Sequence, residues 1–290
     1  MAAGWDKKSL IMKVKRLLTL ALVLLSITMI SCKKDGASTT DDPSNPVTPN
    51  EEPSGILPGL FSVSASKHVN FSKGNLQYQA STGKWRFADN QWDCIGDDNL
   101  NISYNYSGWI DLFGWGTGDN PTNNSAGLGD YGNFSDWGNN TISNISTNSN
   151  KWYTLTATEW EYVMEKRATP SGIRYVCAKV NGINGYILLP DDWHAYYYHL
   201  NTEYDYSCNQ IDLSDWDVLE SKGAVFLPAS GFRNPYDNEL KYVGTKGYYW
   251  ASSYSGLQTA WCLEFTPYEY IEHSYYRRNG MSVRLVCNAD

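Results

Sequence analysis

The stretch GYYWASSYSGLQTAWCLEF, Gly247–Phe265, is followed closely by HSYYRRNGMSVRLV, His273–Val286, and both are crowded with tyrosine, tryptophan and serine. GYYW and WCLEF alternate as strands do when one face lies in a core and the other at a surface. The side chains predicted to lie in the core are those of Trp250, Trp261, Leu263, Phe265, Val283 and Leu285. The serine, glycine and tyrosine residues between and after these strands are expected at a contact surface.

The composition of the whole chain favours a folded domain with many turns. The 290 residues are 42% hydrophobic and 19% charged, which is enough apolar surface for one large domain or two modest ones. Short strands and aromatic surfaces fit 24 Gly, 12 Trp and 22 Tyr better than long helices do. The net charge of -8 argues against a nucleic-acid partner, whose phosphates require a basic face.

The N-terminus resembles a bacterial lipoprotein signal peptide. A basic KVKR segment precedes an apolar segment, residues 17–30, that is short for a membrane span. Ser31 precedes Cys32, so cleavage between them would expose a cysteine for lipid attachment. We therefore predict a signal peptide over residues 1–31, with Met12 as an alternative start. The alternatives are an ordinary secretory signal with an incidental cysteine, or a short membrane anchor.

Residues 32–55, CKKDGASTTDDPSNPVTPNEEPSG, have nothing to bury and are predicted to be a disordered tether. A lipid on Cys32 would then anchor the chain in a membrane, with residues 56–290 forming one domain held away from it. The predicted location is the outer membrane or cell surface of a bacterium.

The remaining cysteines and acidic residues give little sign of a metal site. Five cysteines follow Cys32, and an odd number leaves at least one thiol unpaired in an oxidising compartment. A bridge between Cys262 and Cys287 is one candidate pairing. With no CxxC pair and four histidines, no zinc spacing is found. Asn234, Asp237 and Glu239 in RNPYDNE offer oxygen ligands for calcium, but a solvated turn is favoured, and we predict no metal or cofactor.

Two segments have the pattern of helices. LTATEWEYVMEKR, Leu155–Arg167, begins with threonines (Thr156 or Thr158) that can cap a helix, and its acidic and basic residues lie in the first and last turns. Trp160, Val163 and Met164 of this helix are predicted to face the core. In Leu213–Gly223 we predict Ser214 as the cap and Trp216 and Leu219 as core-facing.

The other elements are predicted strands and loops. Residues 61–79 are predicted to form a hairpin that turns at Gly74-Asn75, and residues 84–96 a third strand. Residues 97–150 form a long Asn/Gly/Ser-rich loop anchored by tryptophans, namely Trp109, Trp115 and Trp137. Residues 175–193 form a hairpin around Asn181-Gly182 to Asn184-Gly185, ending in an exposed Asp191-Asp192. Few helices and many short strands predict an α+β domain with long loops.

Several segments resemble known families in a shared order. LTATEWEYV resembles the LPTEAEWEYA helix of the formylglycine-generating-enzyme type of C-type-lectin-like fold. ILLPDDW, FLPASGFR, GYYWASS and NGMSVRLV resemble the major paralogous domain of Fibrobacter succinogenes, which is also abundant in Bacteroides secreted proteins. FSVSASKHVNFSKGNLQY and GWIDLFGWGTG are similar to Bacteroides-type lipoproteins. The resemblance runs from about Phe61 to Val286 and implies a C-type-lectin-like fold, with two main helices and many short antiparallel strands.

Two branches of that fold imply different functions. The variable proteins of diversity-generating retroelements hold exposed Tyr, Asn, Ser, Asp or His at C-terminal ligand-binding positions, and residues 248–278 are similar in place and composition. The enzymatic branch uses a C-terminal pair of cysteines that binds copper. Cys262 and Cys287 lack the expected cysteine and histidine context, so that activity is not carried over.

We therefore predict a non-catalytic lipoprotein that recognises a protein or glycan, as an adhesion or receptor module, through an aromatic C-terminal surface. Tyrosine gives contact area at low entropic cost, and serine, glycine and asparagine give adaptable hydrogen bonds. The predicted ligand-binding residues are Tyr254, Tyr268, Tyr270, His273, Tyr275, Tyr276, Arg277 and Asn279, and these together with Ser252 are expected to be exposed. The alternatives are a formylglycine-generating-enzyme-like oxidoreductase and a structural component of an envelope or fimbrial assembly.

Overall fold

A computed structural model describes residues 55–146 and 151–289, apart from the side chain of Leu128. The predicted signal peptide, Cys32 and all of the tether except Gly55 lie outside the described residues. The described part consists mostly of short strands in several small sheets with two short α-helices, which confirms the α+β class. In that part, every helix falls short of the length and apolar character that a membrane span requires.

The described helices and strands are short, and the long loop separates β4 from β5. The strands are β1 (Phe61–Ser62), β2 (His68–Phe71), β3 (Leu76–Gln79), β4 (Lys84–Phe87), β5 (Tyr153–Thr154), β6 (Tyr175–Val180), β7 (Ile183–Leu188), β8 (Gln210–Ile211), β9 (Val225–Pro228), β10 (Phe232–Asn234), β11 (Glu239–Lys241), β12 (Gly247–Tyr254), β13 (Thr259–Phe265), β14 (Tyr270–Tyr276) and β15 (Leu285–Asn288). The α-helices are α1 (Ala157–Glu161), which continues as a π-helical turn over Tyr162–Lys166, and α2 (Leu213–Ser221). Short 3-10 helices cover Gly96–Leu100, Leu128–Asp130, Trp137–Asn139 and Tyr206–Cys208.

The strands are arranged in three larger sheets and two separate hairpins. The sheets have the orders β1-β2-β15-β5, β8-β6-β7-β9 and β12-β13-β14, and the hairpins are β3-β4 and β10-β11. In the first sheet β15 lies antiparallel between β2 and β5, so the last strand joins the beginning of the domain. The third sheet holds the tyrosine-rich C-terminal sequence, and β14 is one of its edge strands.

Three clusters of buried side chains form the core. One of them is largely aromatic and contains Trp115 and Trp137 from the long loop, as predicted. Trp109 is half-buried instead, and the guanidinium of Arg86 lies 4.0 Å from its ring centroid. Of the core residues predicted from the C-terminal sequence, Trp250, Leu263, Phe265, Val283 and Leu285 are buried, and Trp261 is half-buried against the core.

The first predicted helix is shorter than its sequence pattern. Thr156 caps α1 in a capping box with Glu159, and Trp160, Val163 and Met164 are buried as predicted. Arg167 does not sit in a solvent-exposed last turn. Its guanidinium is buried and donates to the carbonyls of Val163 (2.6 Å), Leu189 (2.5 Å) and Arg174 (2.8 Å). These carbonyls satisfy the buried charge of Arg167, whose own backbone is extended (φ -65°, ψ 147°), so the helix ends before it.

Arg167 also pairs with Asp191 at 3.2 Å, and that carboxylate accepts a hydrogen bond from the backbone N–H of Ser62 at 2.7 Å. Asp191 is therefore half-buried, which corrects the expectation of an exposed Asp191-Asp192 pair, while Asp192 is exposed. The Asp191 carboxylate therefore joins the segment after β7 to β1 through Ser62, and to the residue after the π-helical turn through Arg167.

The hairpin and the second helix follow the sequence closely. β6 and β7 turn at Asn181 and Gly182, both with positive φ (47° and 83°), a conformation suited to a tight hairpin. Helix α2 buries Trp216 and Leu219 as predicted, but Asp212 is its cap, accepting from the N–H of Asp215, and Ser214 is not. Asp212 has an extended backbone while the next residue is already helical, and that geometry defines a cap.

The predicted turn at Gly74-Asn75 is wrong. β2 and β3 belong to different sheets, and the hairpins instead join β1 to β2 and β3 to β4. The N–H of Ser72 donates to the carbonyl of Leu285, and that of Leu76 to Val283, so the chain runs on beside the C-terminal segment without folding back. The strand predicted over residues 84–96 forms only over Lys84–Phe87.

Candidate ligand-binding surface

The predicted ligand-binding residues lie on or beside the β12-β13-β14 sheet, but they do not form one patch. β13 is central, with Phe265 opposite Tyr270 at one end and Thr259 opposite Tyr276 at the other. Successive side chains of a strand point to opposite faces, so Tyr270 and Tyr276 share one face of β14 and His273 and Tyr275 the other. Tyr268 is exposed in the β13–β14 turn, near Tyr270.

On the second of these faces a buried carboxylate organises the aromatic side chains. Glu264 accepts hydrogen bonds from Nζ of Lys246 at 2.6 Å, from the hydroxyl of Tyr275 at 2.8 Å and from that of Tyr248 at 3.3 Å. Nδ1 of His273 lies 3.5 Å from the same carboxylate. Burial favours a higher pKa for Glu264, but the donors Lys246 and Tyr275 outweigh it and lower that pKa. Tyr275 is thus half-buried and fixed in position.

Near the Tyr276 end of β14 the surface contains a cavity of about 480 Å³. Its lining consists of Phe232, Asn234, Tyr236, Thr259, Ser274, Tyr275, Tyr276 and Asn279. The guanidinium of Arg278 lies 3.9 Å from the ring centroid of Tyr236 and 4.3 Å from that of Tyr276, holding the two rings on either side of one cation. The cavity therefore has two aromatic walls that contact the Arg278 guanidinium, and it has amide and hydroxyl groups for hydrogen bonding.

A second cavity of about 530 Å³ lies beside the β12–β13 turn. Its lining consists of Trp115, Gly132, Asn133, Phe134, Ser252, Tyr254, Gly256, Leu257 and Arg277. Tyr254 and Leu257 are exposed by 71% and 96%, so this cavity has an apolar rim. It shares no lining residue with the first cavity.

Arg277 and Asn279 were expected to be exposed, and the structure places both among the buried residues. The guanidinium of Arg277 donates to the carbonyls of Gly132 at 2.9 Å and Gly256 at 2.8 Å, and it lies 4.3 Å from the ring centroid of Trp115. A buried guanidinium needs such partners, and they tie the long loop to the β12–β13 turn. Both residues still line cavities, Arg277 the larger one and Asn279 the other.

Tyr270 lies far from the cavities. It is half-buried, and its hydroxyl donates to Glu165 of the π-helical turn at 2.6 Å. The structure therefore brings together Tyr275, Tyr276 and Asn279 at one cavity and Tyr254 and Arg277 at another, while Tyr268 and Tyr270 lie at the opposite end of β14.

Sequence reasoning missed Phe232, Tyr236, Trp115, Phe134 and Leu257 as parts of this surface. They come from the β10–β11 hairpin, from the long loop and from the β12–β13 turn. Tyr236 and Leu257 carry a usable signal, since each is a large apolar side chain in a predicted turn. The other three could not be assigned without the packing of distant segments.

The residues considered for chemistry are engaged in structural contacts. The carboxylates of Asp237 and Glu239 pair with the ammonium of Lys241, and the amide of Asn234 contacts Asp237 within the β10–β11 turn. Within residues 55–146 and 151–289, no group of three metal-ligating side chains is found. No disulfide joins Cys262 and Cys287 in the described part of the chain, and burial raises the pKa of the Cys262 thiol well above its ordinary value.

The comparisons with known proteins place only the C-terminal third of the chain. The model of a family described as a domain of unknown function (DUF8237) matches residues 195–286, which begin between β7 and β8, end within β15 and include α2 and the whole β12-β13-β14 sheet. Neither the curated proteins nor the solved structures contain a match to the chain. The sheet with the predicted ligand-binding residues is therefore similar to a domain family, and the match assigns it no activity.

Proposed function

We propose that this chain is a lipid-anchored, non-catalytic recognition protein of the bacterial outer membrane or cell surface. In this proposal it displays one C-type-lectin-like domain on a tether and binds a protein or glycan through the C-terminal sheet. The lipid anchor rests on the sequence around Cys32, and the C-type-lectin-like fold and the relationship to retroelement variable proteins rest on sequence resemblance.

The observation that carries the proposal is the cavity between Tyr236 and Tyr276. Binding sites for small molecules and side chains are concave, mostly apolar and lined by a few placed polar groups. The volume of about 480 Å³ and the lining of tyrosine, phenylalanine, asparagine, serine and threonine have this character. Aromatic faces stack on sugar rings as well as on peptide side chains, so both ligand classes fit.

The arrangement supports recognition better than catalysis. Lys246 and Tyr275 donate to the Glu264 carboxylate, and Cys262 is buried with a raised pKa that disfavours the reactive thiolate. His273 contacts this same carboxylate and the ring of Tyr275. These groups hold Tyr275 in place, and the free surface beside it remains available for a ligand.

The proposal is tested by binding of the full-length chain, purified in mild detergent, to a glycan array and to panels of intact bacteria. We expect binding to at least one ligand, and a loss of about tenfold or more when Tyr275 and Tyr276 are both changed to Ala, since a central aromatic anchor contributes about 2 kcal/mol or more. The matched control changes Tyr104 and Tyr196 to Ala, which removes two exposed tyrosines elsewhere. Undiminished binding by the Tyr275/Tyr276 variant would reject this surface.

A further inference from the structure

Strand β14 leaves one of its two edges without a partner strand. It pairs with β13 alone among the described strands. At the turn the N–H of Thr266 donates to the carbonyl of Glu269 at 2.8 Å, and at the other end the N–H of Arg277 donates to Gln258 at 3.0 Å. In an antiparallel ladder, hydrogen-bonded residue pairs alternate with non-hydrogen-bonded pairs. Counting from Glu269 or from Arg277 assigns the same residues of β14 to the hydrogen-bonded pairs with β13.

That alternation decides which backbone groups face outward. Ile271, His273 and Tyr275 bond to β13, so the N–H and C=O groups of the residues between them point to the open edge. The outward-facing residues are Tyr270, Glu272, Ser274 and Tyr276. No hydrogen bond from the described part of the chain engages the backbone of Glu272 or Ser274 on that side.

The edge also lacks most of the features that protect natural edge strands, and Glu272 is the acidic side chain that it carries. Proline, lysine and bulges commonly prevent an edge from pairing with another chain. The sequence YIEHSYY contains neither proline nor lysine, and its pairing with β13 runs without a register shift over seven residues. By contrast, β12 on the other edge has a register shift between Trp250 and Tyr254. An open and regular edge is suited to the addition of an extended strand.

The side chains along the edge differ at its two ends. At the Tyr276 end lies the aromatic cavity of about 480 Å³. At the other end Oε1 of Glu272 is buried without a hydrogen-bond partner in the described structure. Burial, and then the carboxylates of Glu161 and Glu165, raise the pKa of Glu272 to about 7.

The balance of charge at this end favours a cation. Lys166 pairs with Glu161 at 2.7 Å, and it is the cation that offsets the three carboxylates. The backbone N–H of Glu161 already donates to the Glu272 carboxylate, so the oxygen left without a partner is Oε1, and an ammonium or guanidinium from a ligand would add a second cation and relieve the repulsion among the acids.

We propose that the open edge of β14 binds an extended peptide segment with a lysine or arginine, which adds as a fourth strand. Its backbone pairs with Glu272 and Ser274, its basic side chain reaches the Glu161/Glu165/Glu272 group, and an apolar side chain further along enters the cavity beside Tyr276. This inference rests on the proposed recognition function and narrows its ligand to a peptide. A second copy of the chain fits the edge less well, because pairing two β14 strands would bring two acidic groups together on chains of net charge -8.

The test uses fluorescent seven-residue peptides of alternating valine and threonine with one lysine placed at each position in turn. We expect saturable binding to the full-length chain for particular lysine positions, and a loss of about tenfold or more when that lysine is glutamate or when the paired backbone amides are N-methylated. Hydrogen exchange should slow at the amides of Glu272 and Ser274 when the peptide binds. Equal binding of the methylated peptides would overturn strand addition.

Ser274→Pro is the matching change in the protein, since it removes an outward N–H at a site where edge strands tolerate proline. Ser274→Ala is the control, because both variants lose the same hydroxyl contact with Ser255 but only proline closes the edge. We expect the proline variant to lose peptide binding by about tenfold or more and the alanine variant to retain it. If the proline variant does not fold, Glu272→Lys tests the same proposal. We expect this variant to reject the lysine peptides and to bind the glutamate peptides.

The outcomes separate this inference from the proposed function. If the Tyr275/Tyr276 variant loses glycan or cell binding while Ser274→Pro retains all binding, recognition stands and strand addition is wrong. If sedimentation shows a dimer that Ser274→Pro abolishes, the edge belongs to a second copy and the peptide proposal is overturned.

Discussion

Strands β12 and β14 are both rich in tyrosine and form the two edges of one sheet, but β12 is largely buried and β14 is not. GYYWASSY buries its first five residues, whereas YIEHSYY has no fully buried residue. β12 packs against the core with Tyr248, Tyr249 and Trp250, and these three side chains also hydrogen-bond to buried acceptors. β14 pairs with β13 along one edge, and its other edge is open in the described structure. Burial of a tyrosine is therefore decided by what covers the strand, and composition alone does not distinguish a core strand from a binding strand.

The largest effect is expected from truncating the buried end of β12. Trp250 is 1% exposed, and its indole N–H donates to the carbonyl of Phe113 at 2.7 Å. Trp250→Ala should lower the free energy of unfolding by about 3–5 kcal/mol, because it leaves a large cavity. Tyr254→Ala, at the exposed end of the same strand, should change it by less than about 0.5 kcal/mol. Urea denaturation measures both, and equal losses would contradict the assigned contrast along β12.

A smaller effect is expected at Glu264, whose carboxylate joins the three strands of the sheet. Lys246 and Tyr275 donate to different oxygens of Glu264, so in Glu264→Gln the amide N–H₂ faces one of these two donors and the negative charge is lost, which should cost about 1–3 kcal/mol at neutral pH. The folded-state pKa of Glu264 lies below its ordinary value of 4.5. The stabilisation is therefore present above pH 4.5 and is lost as the pH falls through the lowered pKa.

Denaturation of wild type and Glu264→Gln over a range of pH tests this sign. The two proteins should converge in acid, and Glu239→Gln, at an exposed carboxylate of β11, should follow the wild type throughout. A difference that grows as the pH falls would show that Glu264 does not gain from its ionised form.

The smallest effect on the free energy of unfolding is expected at Glu272 on β14. Its dependence on pH is opposite to that of Glu264, because the pKa of Glu272 is raised and that of Glu264 is lowered. Burial and the neighbouring acids raise its folded-state pKa to about 7 from 4.5, so its stabilisation is present below pH 4.5 and is lost as the pH rises through about 7. Glu272→Gln should therefore stabilise the chain above pH 7 and have little effect near pH 4.5.

Thermal unfolding at several pH values measures the Glu272 effect, with Glu269→Gln in the exposed turn as the control. Stabilisation by Glu272→Gln that is independent of pH would exclude the proposed ionisation. A peptide that supplies a cation to Glu272 should remove the difference between wild type and variant.

Local sequence predicted the elements whose stability comes from nearby residues. The cap at Thr156 and the turn at Asn181 and Gly182 depend on contacts within a few positions, and the inward faces of both α-helices follow from local periodicity. The predictions that failed depend on distant partners. The turn expected at Gly74-Asn75 gave way to backbone bonds with Val283 and Leu285, and the exposed arginine expected at Arg277 gave way to carbonyls of the long loop.

The candidate site divides in the same way. The sequence by itself determined that the C-terminal region consists of tyrosine-rich strands with an aromatic surface, because strand periodicity and composition are local properties. Only the tertiary structure decided that β12, at one edge of the sheet, is buried and bonded to Ser282, that β14 at the other edge is open, and that Tyr236 and Phe232 join Tyr276 around one cavity. Those facts depend on which strand ends a sheet and which loop packs beside it. Contacts between segments distant in the sequence decide both, and local periodicity does not report such contacts.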